Sequence, residues 1–412
     1  MKNPFKIIAC DLGPNIFWED VLLSIKLLFN PKKNGIEIKN LEEKFSQKFG
    51  TEAISFNSGR TSLMAILKSL GLQNDDEIAI QAYTCVAVPD AILWSGYKPI
   101  FIDIDESNFN LDPRDLEKKI TKNTKAVIIQ HTFGIPAPIK EIVKIANKYK
   151  LFIIEDCAHA TGVKHDNEYL GKFSDAAFFS FGRDKMMSSV YGGMVITQNK
   201  ILAERIKQYQ EKLEFPSKKW IIEQLFYNPL IFVIVQTYGF FNFGKIIHLL
   251  SKKLKLLSKA VIELEKKGGK PEYFPKKMPA SLARLALSQF ERLDIFNVKR
   301  LNFNKYYQEE LRDLPIANPA FNYPLLRFTI KTNERDKIKI FAQKFGIYLD
   351  TWYDQPVAPK GTDFNAVGYK INSCKVAEEV AKESLNLPVN PNLSKKDIEK
   401  VVAVLNKYYA KS

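Results

Sequence analysis

The chain reads as an α/β protein: a mostly parallel seven-stranded sheet first, a small α+β domain at the C-terminal end, and an apolar, then basic, helical insertion between them. Three observations predict this. Between residues 51 and 197, short runs rich in Ile, Val and Phe alternate with segments whose apolar residues recur at helical spacing, the pattern of parallel strands covered by helices on both faces. Residues 214–277 break the alternation and resemble neither flank. From 278 onward a long amphipathic segment leads into a compact mixture of strand and helix patterns. The expected units are therefore 1–213, 214–277 and 278–412.

Taken in order, strands are expected at 53–56, 77–80, 99–102, 126–130, 151–155, 176–181 and 193–196, with helices at 62–70, 86–94, 115–120 and 139–148 between them. Residues 224–244 then contain no charged side chain, and 245–267 are lysine-rich with Leu and Ile at helical spacing. A helix at 280–293, a strand at 325–330 and helices at 336–345 and 395–409 complete the expectation. In open sheets of this kind ligands gather beyond the carboxyl ends of the strands, where Tyr83, His131 and Asp156 fall.

With 412 residues, 46% of them hydrophobic, the chain can bury a large core. Lys plus Arg exceed Asp plus Glu by 61 to 46, but the excess is scattered and mostly lysine. No zinc-finger spacing, aromatic RNA-binding strand or arginine-rich arm accompanies it, which argues against nucleic acid. Cys10, Cys85, Cys157 and Cys374 form no close pair, so neither a disulfide framework nor a metal site is indicated. The first residues run into mixed sequence without the apolar stretch of a secretory signal, and a cytoplasmic location is expected.

The chemistry is concentrated in two places. Asp156 ends the apolar run Phe152-Ile153-Ile154-Glu155, and Lys185 follows Phe179-Ser180-Phe181-Gly182-Arg183-Asp184 ahead of Gly192-Gly193. Alone, either would pass for a strand-end carboxylate or a solvated loop lysine. Together they are the two groups that a pyridoxal phosphate enzyme needs, one to keep the pyridine nitrogen protonated and one to bond the aldehyde. Upstream, Asn57-Ser58-Gly59-Arg60-Thr61 opens a helix, whose first N–H groups suit an anion as well as an ordinary cap by Ser58 or Asn57. Arg60 adds a guanidinium suited to phosphate.

Seven runs, taken together, resemble the DegT-type nucleotide-sugar aminotransferases. They are Ser58-Gly59-Arg60-Thr61-Ser62-Leu63, Tyr83-Thr84-Cys85-Val86-Ala87, Pro99-Ile100-Phe101-Ile102-Asp103-Ile104-Asp105, His131-Thr132-Phe133-Gly134-Ile135-Pro136, Glu155-Asp156-Cys157-Ala158-His159-Ala160, Ser180-Phe181-Gly182-Arg183-Asp184-Lys185 and Gly192-Gly193. The resemblance implies a fold-type I pyridoxal 5'-phosphate (PLP) transferase, usually a homodimer with active sites at the subunit interface. It implies catalytic roles for Lys185, as the cofactor-bonding lysine, and for Asp156, at the pyridine nitrogen. Ser180, Gly59, Arg60 and Thr61 would hold the phosphate, and His159 would lie beside the phenolic oxygen.

Three departures stand out. Cys85 occupies the place of the family's ring-stacking aromatic, for which Tyr83 is the nearby substitute, although strand alternation puts it on the other face. Lys276-Lys277-Met278-Pro279 replaces a segment whose Asn reaches the partner subunit's phosphate, a loss that Arg60 would offset. Asn390 stands where a His is common.

The substrates so implied are an amino acid donor, glutamate above all, and a keto-sugar nucleotide, in the synthesis of surface-polysaccharide or glycan precursors. Two alternatives stay open: a PLP-dependent lyase or dehydratase, against which the retained Lys185 counts, and a non-catalytic sugar-binding or membrane-associated relative. The stretch 224–259 has two readings of its own. One is a monotopic hairpin, with an apolar tip of Phe226, Tyr227, Leu230–Val235, Phe240, Phe241 and Phe243 and with Lys252, Lys253, Lys255 and Lys259 facing an anionic membrane. The other is an insertion buried against the large domain or a second subunit.

Overall fold

The computed structural model describes residues 5–254, 256–316 and 321–410; Lys255, one of the lysines assigned to a membrane, lies outside them. All seven expected strands form within one or two residues of their predicted limits: β1 Glu52–Phe56, β2 Glu77–Gln81, β3 Lys98–Ile102, β4 Thr124–Gln130, β5 Phe152–Asp156, β6 Ala176–Ser180 and β7 Gly193–Thr197. They make one sheet in the order β1-β7-β6-β5-β4-β2-β3, parallel except for β7, which runs antiparallel to both neighbours. The strand interiors are buried because both faces are covered, as the unbroken apolar runs require.

Helices α1 Trp18–Leu28 and α2 Ile36–Phe49 precede the sheet, and α3 Gly59–Ser69, α4 Ala87–Trp94, α5 Pro113–Lys119, α6 Ile139–Tyr149 and α7 Lys200–Glu211 follow its strands. The apolar residues of α6 recur on one face, and Ile139, Ile142 and Ala146 are buried.

The insertion is helical at first. Helix α8 spans Lys218–Thr237 and packs along α1; its Asn228 donates to Ser24 Oγ at 3.0 Å, and Tyr227, Ile231 and Ile234 are buried. The uncharged stretch is thus largely a packed helix rather than a tip. Helix α9, Phe243–Lys253, turns back against α8. The helical pattern expected through 267 stops at Lys253, and 256–264 run as an irregular strap back to the sheet domain.

Helices α10 Ala280–Phe290 and α11 Leu293–Glu310 lead into the C-terminal region, where β8 Phe328–Lys331 pairs antiparallel with β9 Ser384–Leu387 beside α12 Arg335–Gln343, α13 Lys375–Glu383 and α14 Lys395–Tyr409. Among the described residues, no helix is long and apolar enough to cross a membrane.

Candidate active site

A cavity opens where the carboxyl ends of β4, β5 and β6 meet the start of α3. Asp156, at the end of β5, and Lys185, on the loop after β6, both line it. His159 joins them: its Nε2 lies 2.9 Å from Lys185 Nζ, and its Nδ1 accepts the Phe133 N–H at 3.2 Å. Burial, reinforced by Lys185 and Arg327, holds the imidazole well below its usual pKa, so it is neutral. With Nδ1 accepting, the ring proton is on Nε2, a tautomer fixed by the hydrogen-bond network. Nε2 thus faces Lys185 Nζ across 2.9 Å and holds the amine at the cavity wall.

Asp156 is buried and takes one hydrogen bond, from Ala158 N–H at 2.9 Å. Among the described residues no ion pair neutralises it, and burial raises its carboxyl to about 6 against the pull of Ala158 N–H and Lys185. Its neighbour Glu155 faces away and is saturated by His131, Gly171, Phe173 and Ser174, which makes it a structural residue.

The far wall is a cradle of small residues. Ser58 caps α3 by accepting Thr61 N–H at 3.1 Å. This leaves the N–H groups of Gly59 and Arg60 in the helix's first turn, where no intrahelical carbonyl reaches them. A side chain at position 59 would come within 3.0 Å of Ser180 Cβ, and one at 193 within 2.5 Å of the Ser58 backbone. Glycine at both places therefore lets the turn close on Ser180.

The structure redistributes three expected roles. The Arg60 guanidinium is occupied: its Nε lies 2.7 Å from Glu265 Oε1, its Nη2 donates to Ala260 O at 2.9 Å, and it lies over the Phe274 ring. The guanidinium is thus committed to the strap, and the first turn of α3 and Ser180 form the rest of this wall. Thr61 donates its hydroxyl to Asn57 Oδ1 at 2.7 Å and completes the cap rather than the cavity wall. Tyr83 is off the wall as well, bonded to Ser384 Oγ at 2.6 Å with its ring against Tyr353. Cys85 does line the cavity.

Several wall residues had not been anticipated. Gln130 follows the strand-end rule one residue before His131, and its Oε1 accepts the Thr84 hydroxyl at 2.5 Å. Trp352 and Tyr353 come from the C-terminal region, and Tyr353 stacks on His159 with ring centres 6.0 Å apart. Ala260 and Val261 come from the strap, which is tied down by Arg183 to Ser258 and by Tyr191 to Lys259 O at 2.5 Å.

Comparison with known proteins agrees with this geometry. The DegT/DnrJ/EryC1/StrS aminotransferase family matches residues 30–219 and 251–406. The chain belongs to that family. This aminotransferase is similar to GDP-perosamine synthase of Escherichia coli O157:H7, 25% identical over 384 residues with 91% of each chain covered. It is also similar to dTDP-4-amino-4,6-dideoxy-D-glucose transaminase of Shigella dysenteriae, 26% identical over 419 residues with 98% of this chain and 99% of the other covered. Its fold matches that of Helicobacter pylori PseC, with a TM-score of 0.76 at 20% identity, covering 99% and 100% of the two chains.

The PMP form of the putative sugar aminotransferase Spr1654 of Streptococcus pneumoniae matches equally, with a TM-score of 0.76 at 19% identity over 100% of both chains. PLP is the family's cofactor. The cavity fits it: a buried carboxylate short of partners, an amine held by His159 and a helix start with small residues suited to an anion line one space.

Proposed function

We propose that the enzyme transfers an amino group from an amino acid, glutamate in our reading, to a keto group of a nucleotide-linked sugar, supplying precursors of a surface polysaccharide or glycan. The observation that carries the reading is the Lys185–His159 contact of 2.9 Å in one cavity with the buried, under-partnered Asp156. The relatives named above, which act on GDP- and dTDP-linked sugars by their names, support the acceptor class. When bound, PLP supplies a reactive carbonyl and an electron-withdrawing ring that stabilises charge on the substrate carbon.

The chain's own groups do the rest. With PLP bound, Lys185 would hold its carbonyl and move a proton at Nζ, His159 would orient that amine from 2.9 Å, and Asp156 would stand as the carboxylate for the ring nitrogen. Gly59, Arg60 and Ser180 take the phosphate, through two N–H groups and a hydroxyl. Trp352, Tyr353 and the strap exclude water. Beyond Arg183 and Tyr191 a wider cleft of about 870 Å³ is lined by Trp220, Tyr227, Tyr273 and Lys252 among others. Aromatic faces beside cations suit a nucleoside diphosphate, and we assign the nucleotide to it.

We further assign the enzyme to the cytoplasm, as a homodimer in peripheral contact with an anionic membrane through 224–259, and divide the chain at 213/214 and 277/278. Borohydride reduction followed by peptide mapping tests the lysine: the cofactor should be found on Lys185. A panel of keto-sugar nucleotides offered to protein loaded with pyridoxamine phosphate tests the acceptor. Amination of simple keto acids with no turnover of any nucleotide-linked sugar would overturn that part.

A further inference from the structure

The family match omits residues 220–250, which carry most of α8 and much of α9. The structure gives α9 two unlike sides. Gly244 and Ser251 are buried on one, and a side chain at 244 would collide with Ile234 O at 2.3 Å. On the other, Phe243, Ile246, Leu249 and Leu250 are 49–59% exposed, followed by Leu254 at 64% and preceded in the turn by Phe241 at 86%. At one residue per 100° these α9 side chains and Leu254 span an arc of about 140° on the outward side. Lys245 and Lys252 border that arc and Lys253 stands within it, all three exposed.

Charge decides what covers such a stripe. From 224 to 262 the chain carries five lysines and not one Asp or Glu. A two-fold contact between copies through this face would set those lysines against each other, whereas anionic headgroups would pair with them. We infer that α9 and the turn before it anchor the enzyme in the plane of an anionic bilayer. The apolar stripe lies at the headgroup boundary and Lys245 and Lys253 at phosphate level. This rests on the peripheral contact proposed above and narrows it from 224–259 to 240–254, because α8 is committed to α1.

The test uses the full-length holoenzyme and sedimentation with two kinds of vesicle, phosphatidylcholine alone and phosphatidylcholine with phosphatidylglycerol in equal parts. Wild-type protein should bind only the mixed vesicles, release partly in high salt and fully in detergent. Ile246→Ser with Leu249→Ser and Leu250→Ser should weaken binding by about tenfold or more while turnover and melting temperature stay put. Lys245→Gln and Lys253→Gln should each cost roughly fivefold. Phe241→Ser, at the most exposed position, guards against misfolding of the triple variant and should weaken binding by itself.

Wild-type protein that ignores both vesicles would overturn the membrane contact altogether. Mixed-vesicle binding that survives the α9 variants, or that is lost instead with Leu22→Ser and Ile25→Ser on the exposed side of α1, would leave the contact standing and overturn the anchor. Dissociation of a dimer by the α9 variants would overturn it too, making the stripe a subunit interface.

Discussion

Arg60 separates two accounts of the cavity wall, and a double-mutant cycle with Glu265 measures which is right. As a phosphate ligand, Arg60 would be dispensable for folding and Arg60→Thr would weaken PLP binding alone. As the tether of the strap, it is half of a buried ion pair, with side chains 11% and 0% exposed and 2.7 Å between Nε and Oε1. Removing it leaves Glu265 with, among the described residues, one hydrogen bond, from Ile262 N–H at 2.9 Å, and leaves it near Asp90, whose two carboxylate oxygens find no hydrogen-bond partner among those residues.

Stranding one member of a buried pair costs about 3–5 kcal/mol. Glu265→Gln costs less, about 1–3 kcal/mol, since its amide oxygen still accepts and Arg60 keeps Ala260 O at 2.9 Å. The double variant strands no charge, so its loss should fall short of the sum by about 2 kcal/mol. Urea unfolding of the cofactor-free protein reads these differences, and a PLP titration of the same samples reads affinity. Additive stabilities, or an Arg60→Thr protein that is as stable as wild type yet loses PLP while Glu265→Gln keeps it, would refute the tether and restore the phosphate role.

Lys185→Ala should abolish turnover and borohydride-stable attachment of the cofactor while the protein still folds, as checked by mass spectrometry and melting; attachment at another lysine would refute the assignment. Asp156→Asn should reduce turnover by about a hundredfold, equivalent to about 3 kcal/mol, because an amide cannot hold a ring nitrogen protonated. In the cofactor-free protein the Asp156 carboxyl gains its proton as pH falls through about 6, so PLP affinity should drop across that range and the drop should vanish in Asp156→Asn. At Asp90 burial raises the carboxyl to about 8, against the attraction of Arg60. The native state thus holds a proton that the unfolded chain releases between about 4 and 8, and stability falls as pH rises through that window. Asp90→Asn should remove this slope, gaining about 2 kcal/mol or more on wild type from pH 4 to pH 8; parallel stability curves would refute it.

The sheet was legible because its strands are buried on both faces, so burial is written as unbroken Ile, Val and Phe. Lys185, Asp156, His159 and Ser180 were legible for a related reason: each sits at or just beyond a strand end, and the sheet's register brings them together. Helix α11 escaped notice because its buried side carries Asn297, Arg300 and Asn304 beside Phe296, Phe303 and Tyr307. Arg300 Nη2 donates there to Asn15 Oδ1 at 2.6 Å and to Met186 O at 2.9 Å, partners far away in the chain. Apolar periodicity cannot register a stripe that is buried by hydrogen bonding.

The insertion misled in a comparable way. Helical spacing continues past Lys253, yet the chain leaves the helix and the carbonyls of Ser258, Lys259 and Ala260 are taken by Arg183, Tyr191 and Arg60. Those three side chains stand on the cavity wall beside Gly59, Ser180 and Lys185. The strap and the cavity wall are therefore joined through these three side chains. Arg60 can serve as that anchor without emptying the cradle, because the first-turn N–H groups of the helix and Ser180 stay on the wall and suit an anion by themselves.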